Sequence, residues 1–204
     1  MVSGLGFESP EELRRHIGDC RRCGLANGRT TLVFGDGDPH ARVMLIGEAP
    51  GRDEDLSGLP FVGAAGKLLS ELLAHAGLSR EEVYIANVLK CRPPGNRNPR
   101  PEEIERCTPF LEEQIRLVDP EVIVTLGNFA TRFVLGTREG ITQMRGVARL
   151  VAGRLVLPVF HPAAIVYDRA KREVLFEDFE RLEALLEGKE QESARVLNDE
   201  VDSS

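Results

Sequence analysis

Four short apolar runs recur along this chain, and each ends in a polar or glycine-containing stretch. RVMLI runs into GEAPG, VYIANVL carries an asparagine within it, EVIVTL runs into GNFAT, and RLVLPVF runs into HPAA. Helical patterns lie between the first three runs. KLLSELLAHAGL spaces Leu68, Leu69, Leu72 and Leu73 along one face and stops at Gly77. PEEIERCTPFLEEQIRLV opens on Pro101, Glu102 and Glu103, which suit a first helical turn. Strands alternating with helices require crossover connections, hence parallel strands with helices on both faces. The expected fold is a three-layer α/β/α sandwich around a central, mostly parallel four-stranded sheet. In such sheets ligands bind beyond the carboxyl ends of the strands. Glu48, Asn87, Asn128 and His161 fall there, which puts an acid, two amides and an imidazole on one rim.

Before the first run, Ser9 and Pro10 mark a helix start, and the helix is expected to continue to about Gly24. TLVFGDGDPH reads as a short edge strand and a turn. Residues 1–187 are expected to form a single domain. Residues 188–204 are acidic, polar and aperiodic, and read as a disordered tail.

The formal net charge is -7. One internal stretch opposes that sign. LKCRPPGNRNPRP carries Lys90, Arg92, Arg97 and Arg100 with no acid, and its prolines stiffen it. A local basic patch decides affinity for polyanions more than the total does. No apolar run is long enough to span a bilayer, and the first residues do not read as a secretory signal. The expected compartment is the cytoplasm, where disulfides are rare. Cys20 and Cys23 form a CxxC, and Cys91 and Cys107 complete a set of four. That is the count of a four-thiolate site, which by itself would suit zinc or an iron–sulfur cluster.

The glycine-rich stretches exclude two nucleotide-binding readings. GEAPG is no GxGxxG fingerprint, and in GAAGKL a Walker motif would need glycine at Phe61 and Ser or Thr at Leu68. GLPFVGAAG instead holds one aromatic, Phe61, in a chain that is only 5% aromatic. A phenylalanine between glycines can fill the core or offer its face to a flat ring. Asn87 interrupts an apolar strand, and a buried amide must find partners, either backbone or the donor–acceptor edge of uracil. Asn128 reads as a cap for the following helix.

Taken together, CRRC, GEAPG followed by RDED, LPFVGAAGKLL, IANVLKCRPP, the placement of Cys107 and FHPAA resemble the uracil-DNA glycosylase superfamily, and family 4 within it. The resemblance runs from about Cys20 to about Phe179. It implies hydrolysis of the N-glycosidic bond of uracil in DNA, single- or double-stranded, leaving an abasic site for base excision repair. It implies a [4Fe–4S] cluster of structural role on Cys20, Cys23, Cys91 and Cys107. It implies that Phe61 stacks on an extruded uracil and Asn87 reads its polar edge. Gly47, Ala49 and Pro50 would line the pocket, and Glu48 and His161 would be catalytic. Arg92, Arg97 and Arg100 are candidates for DNA phosphates, and Ile165 for an apolar wedge that fills the gap left by the base. Family 1 enzymes carry Asp where this chain has Ala49, so Glu48 or leaving-group stabilisation must do that work. Family 5 replaces the Glu of this motif by an apolar residue. Relatives trapped covalently on uracil-DNA carry a histidine in a longer basic insert that is absent here. The chain is expected to act as a monomer; a sliding-clamp partner is compatible with it, though no motif specifies one.

Two other readings compete. A module of this fold could hold uracil without cleaving, and a cluster protein could transfer electrons. Glu48, Asn87 and His161 favour the enzyme, and the lack of a flavin or dinucleotide signature disfavours the redox protein.

Overall fold

A computed structural model describes residues 6–166, 168–188 and 195–196. Four parallel strands form its centre. They are β2 (Val43–Gly47), β3 (Val83–Asn87), β4 (Val122–Leu126) and β6 (Arg154–Val159), hydrogen-bonded in the order β3-β2-β4-β6. The expectation of a four-stranded sheet is corrected at both edges. β1 (Asp36–Gly37) pairs antiparallel with β3, and β5 (Arg149–Val151) pairs antiparallel with β6. The sheet is therefore mixed, with a two-residue β7 (Arg195–Val196) added beside β5. β5 and β6 form a hairpin whose two turn residues, Ala152 and Gly153, both have positive φ (47° and 82°). That is the turn geometry whose twist matches a tight antiparallel pair.

The central strands are mostly apolar and almost wholly buried because both faces are covered. Val43, Leu45, Val83, Ile85, Val122, Val124, Leu157 and Val159 face one core. Over it lie α3 (Ala64–His75), which buries Leu68, Leu69, Leu72 and Leu73 as its spacing predicts, and α8 (Arg169–Leu186), with Leu175, Phe179 and Leu182. Met44, Ile46, Tyr84, Ala86, Ile123 and Val156 face the opposite core. It is closed by α4 (Pro101–Val118) and α5 (Asn128–Leu135) through Leu111, Val118 and Ala130. The three layers are as expected.

α1 (Pro10–Ile17) starts on the Ser9 cap, whose hydroxyl accepts Glu12 N at 3.2 Å. It is shorter than its expected reach to Gly24. Gly18, at φ 44°, turns the chain away, and the CxxC follows in irregular backbone. Short helices α2 (Arg52–Ser57), α6 (Ile141–Met144) and α7 (Pro162–Ile165) complete the fold. Apart from Gly188 and Arg195–Val196, the acidic tail lies outside the described residues. Among the described residues no helix is long and apolar enough to cross a membrane.

Candidate active site

The carboxyl ends of β2, β3 and β6 open on one cavity of about 330 Å³. Glu48, Ala49, Pro50, Asn87, Phe61 and His161 line it. Gly47 lies beneath. A Cβ there would sit 2.3 Å from Asn87 Oδ1 and 2.7 Å from Phe61 Cζ, so only glycine lets the amide and the ring close over this strand end. The Phe61 and His161 rings stack, with centroids 5.7 Å apart and planes at 28°.

Asn87 is 2% exposed, and its Oδ1 is buried without a hydrogen-bond partner. Leaving a buried acceptor unpaired costs about 1–3 kcal/mol. An unpaired acceptor on a residue that lines a cavity is suited to a donor that arrives with a ligand.

His161 caps α7, and its Nδ1 accepts the main-chain N–H of Ala163 at 3.1 Å. Burial pulls the imidazole down to about 4, against the opposing charge of Glu54. The ring is therefore neutral near pH 7. With Nδ1 accepting, its proton resides on Nε2, which is left as a donor. Burial raises the pKa of Glu48, which is half-buried and lines the same cavity.

Asn128 does not cap α5. Gly127 holds the cap position, and Asn128 Oδ1 accepts Ile141 N at 2.8 Å, tying α5 to α6. The wedge expected at Ile165 is also corrected. Ile165 is 1% exposed and packs in the main core beneath α7, while its neighbours Ala163 and Ala164 are exposed and line the cavity.

The basic loop differs from its expected form at two positions. Lys90 is 1% exposed, and its ammonium donates to Asn87 O at 2.8 Å and to Gln114 Oε1 at 2.5 Å. Arg97 lines the cavity but is committed to Glu103, with contacts of 2.9 and 2.5 Å. Arg92 bonds Asn96 at 2.7 Å, and Arg100 is exposed. Beyond Arg100 lies a second groove that also presents Arg21, Arg22 and Arg106.

All four cysteines are free thiols. Cys23, Cys91 and Cys107 share a small cluster with Leu25, Leu89 and Ala49, which joins them to the GEAPG segment, and Cys20 packs against a neighbouring cluster with Leu13, Ile17 and Phe34. Arg29 Nη1 donates to Cys91 Sγ at 3.4 Å, and Lys90 N donates to Cys107 Sγ at 3.3 Å. Burial raises Cys91 and pushes Cys107 up to about 11. Cys20 and Cys23 raise Cys91 further, and Cys23 and Cys91 do the same for Cys107. Among the described residues, no three His, Cys, Asp or Glu side chains are gathered as the ligands of one metal ion.

Sequence reasoning passed over Glu54, whose carboxylate accepts N–H groups from Gly51, Val62 and Gly63. Its signal was an acid three residues after a glycine cap. Arg80, which bonds the carbonyls of Pro60 and Phe61, left no signal in the sequence.

Residues 34–184 match the uracil DNA glycosylase superfamily. The chain belongs to that superfamily. It is 46% identical over 193 residues to the type-4 uracil-DNA glycosylase of Archaeoglobus fulgidus, covering 91% of this chain and 96% of that one. It is 42% identical to the type-4 uracil-DNA glycosylase of Thermotoga maritima, covering 88% and 95%. A type-5 enzyme of Thermus thermophilus is 36% identical, covering 63% of this chain and 68% of its own. Within the superfamily, the chain is a member of the type-4 family.

Proposed function

We infer that this protein is a monofunctional uracil-DNA glycosylase that hydrolyses the bond between uracil and deoxyribose and leaves an abasic site. What carries the site assignment is the unpaired, buried Oδ1 of Asn87, a residue that lines a cavity together with an aromatic ring and a neutral imidazole. Uracil supplies the missing donor, N3–H, and its face meets Phe61. Stacking of this kind contributes about 1–3 kcal/mol per base. The base must leave the helix to reach the cavity, and this costs least for a mispaired or single-stranded uracil.

As the N1–C1′ bond breaks, its electron pair passes to uracil and the sugar becomes cationic. His161 Nε2–H donates to the developing charge on uracil O2, and the neutral ring stays neutral through the step. Water adds to C1′, its proton passes to Glu48, and the uracil anion takes a proton from solvent as it is released. Burial makes Glu48 a stronger base than an exposed carboxylate. Ala49 and Pro50 close the wall behind the base.

We assign Cys20, Cys23, Cys91 and Cys107 to a [4Fe–4S] cluster. Four free thiols support this reading, three of them in one cluster, with N–H donors directed at two of the sulfurs. Through Cys91 and Cys107, a bound cluster would hold both ends of the basic loop. The hydrolysis transfers no electron, so the role is structural. The compartment would be the cytoplasm, and the working unit a monomer.

The test is single-turnover release of free uracil from a uracil-containing oligonucleotide. Asn87→Ala should lower the rate about a hundredfold or more. A rate equal to the wild type would remove Asn87 from the reaction.

A further inference from the structure

Phe61 has φ +54°, a left-handed conformation that a bulky residue keeps only when its surroundings impose it. Three grips hold it here. α3 begins against it so closely that a Cβ on Gly66 would lie 1.8 Å from Phe61 O. On the cavity side, Glu54 Oε1 accepts Val62 N at 2.8 Å and Gly63 N at 3.0 Å. From the other side, Arg80 Nη1 donates to Phe61 O at 3.1 Å and Nη2 to Pro60 O at 2.8 Å. The peptide unit joining Phe61 to Val62 is thus held at its oxygen by a cation and at its N–H by an anion.

Each grip also reaches a second part of the site. Glu54 Oε2 accepts Gly51 N at 3.0 Å, which fastens the Phe61 loop to the end of GEAPG. Arg80 opens a 3₁₀ turn, Arg80–Glu82, that leads directly into β3, the strand that ends at Asn87. The ring and the Asn87 amide meet over Gly47, so small shifts of the loop change their separation. Charge-assisted hydrogen bonds are stronger than neutral ones and suit this fixing role.

We propose that Arg80 and Glu54 are positioning residues that lock the Phe61–Val62 peptide between opposite charges and so set the stacking ring relative to Asn87. Arg80 touches no substrate and acts through the Phe61 backbone. The inference rests on the stacking role of Phe61 given above.

A double-mutant cycle separates the two ideas. Arg80→Ala should lower kcat/KM for uracil-DNA on the order of tenfold. Arg80→Lys, which keeps a cationic donor, should recover most of that loss. In a Phe61→Ala background, Arg80→Ala should have no further effect. Equal losses from Arg80→Ala in both backgrounds, or no loss in either, overturn the proposal. Full activity of Phe61→Ala alone overturns the stacking role, and the proposal with it. If Arg80→Ala does not fold, Arg80→Gln, which keeps one donor, takes its place in the same cycle.

Discussion

The ammonium of Lys90 donates to the main-chain carbonyl of Asn87 at 2.8 Å, from a position only 1% exposed. One buried cation thereby joins the end of β3, which lines the cavity, to the first cysteine of the basic loop, because the next residue is Cys91. Its second acceptor, Gln114, donates in turn to Phe34 O at 2.9 Å and the Tyr84 hydroxyl at 3.1 Å. Lys90→Met keeps the volume and orphans both acceptors. Each buried acceptor left unpaired costs about 1–3 kcal/mol. Urea unfolding should show a lower midpoint with an unchanged slope. An unchanged midpoint would mean that this network contributes nothing to stability.

Glu48 separates stability from activity. Burial raises its pKa, so the folded state holds the proton more tightly than the unfolded state. The buried charge therefore destabilises the fold increasingly as pH rises through that raised value. Glu48→Gln should raise the melting temperature at pH 7 and lose that advantage below the ordinary carboxylate value of 4.5. The same substitution should lower kcat about 10²–10⁴-fold if Glu48 is the general base. The wild-type rate should fall as pH drops through the raised pKa of Glu48, and the variant should lack that limb. His161, at about 4, adds no limb in the neutral range. A limb that persists in Glu48→Gln would assign the base elsewhere.

The arginines of the basic loop divide by role. Glu103, with a side chain 7% exposed, depends on Arg97 as its partner, so Arg97→Ala should lower the melting temperature. Arg100 and Arg106 are exposed beside the second groove. Replacing either by Ala should reduce the slope of log affinity against log salt by about 0.9 per lost phosphate contact. Equal flattening by Arg97→Ala would show that its pair with Glu103 opens to bind DNA.

The cysteine assignment is checked by composition. Protein purified without oxygen should contain iron and acid-labile sulfide in equal amounts. Cys91→Ser and Cys107→Ser should lose both and leave the Arg92–Arg100 loop open to proteolysis. Stoichiometric zinc in place of iron would overturn the cluster.

The layers were legible in the chain because they rest on short periodicities. Continuous apolar strands and the Leu68–Leu73 stripe can pack in few other ways. That Glu48, Asn87 and His161 line one cavity was legible because they stand at or just past the carboxyl ends of those strands. The β5–β6 hairpin was missed because its turn is Ala152–Gly153, without the Asn-Gly or Asp-Gly that usually marks such turns. Lys90 reads as one more charge of a basic loop, since its burial depends on Gln114, which only the folded chain brings near. Ile165 reads as exposed beside HPAA, since a single helical turn has no periodicity to show which face is buried. Asn128 reads as a cap for the same local reason, while its partner Ile141 lies thirteen residues away.

The most direct measurement uses an end-labelled oligonucleotide with one uracil and a control with thymine at that position. It is incubated with the purified protein and treated with alkali. The site described here predicts scission at uracil alone, and its near-complete loss with Asn87→Ala. An intact uracil strand, whether or not the protein stays bound to it, would contradict the glycosylase assignment.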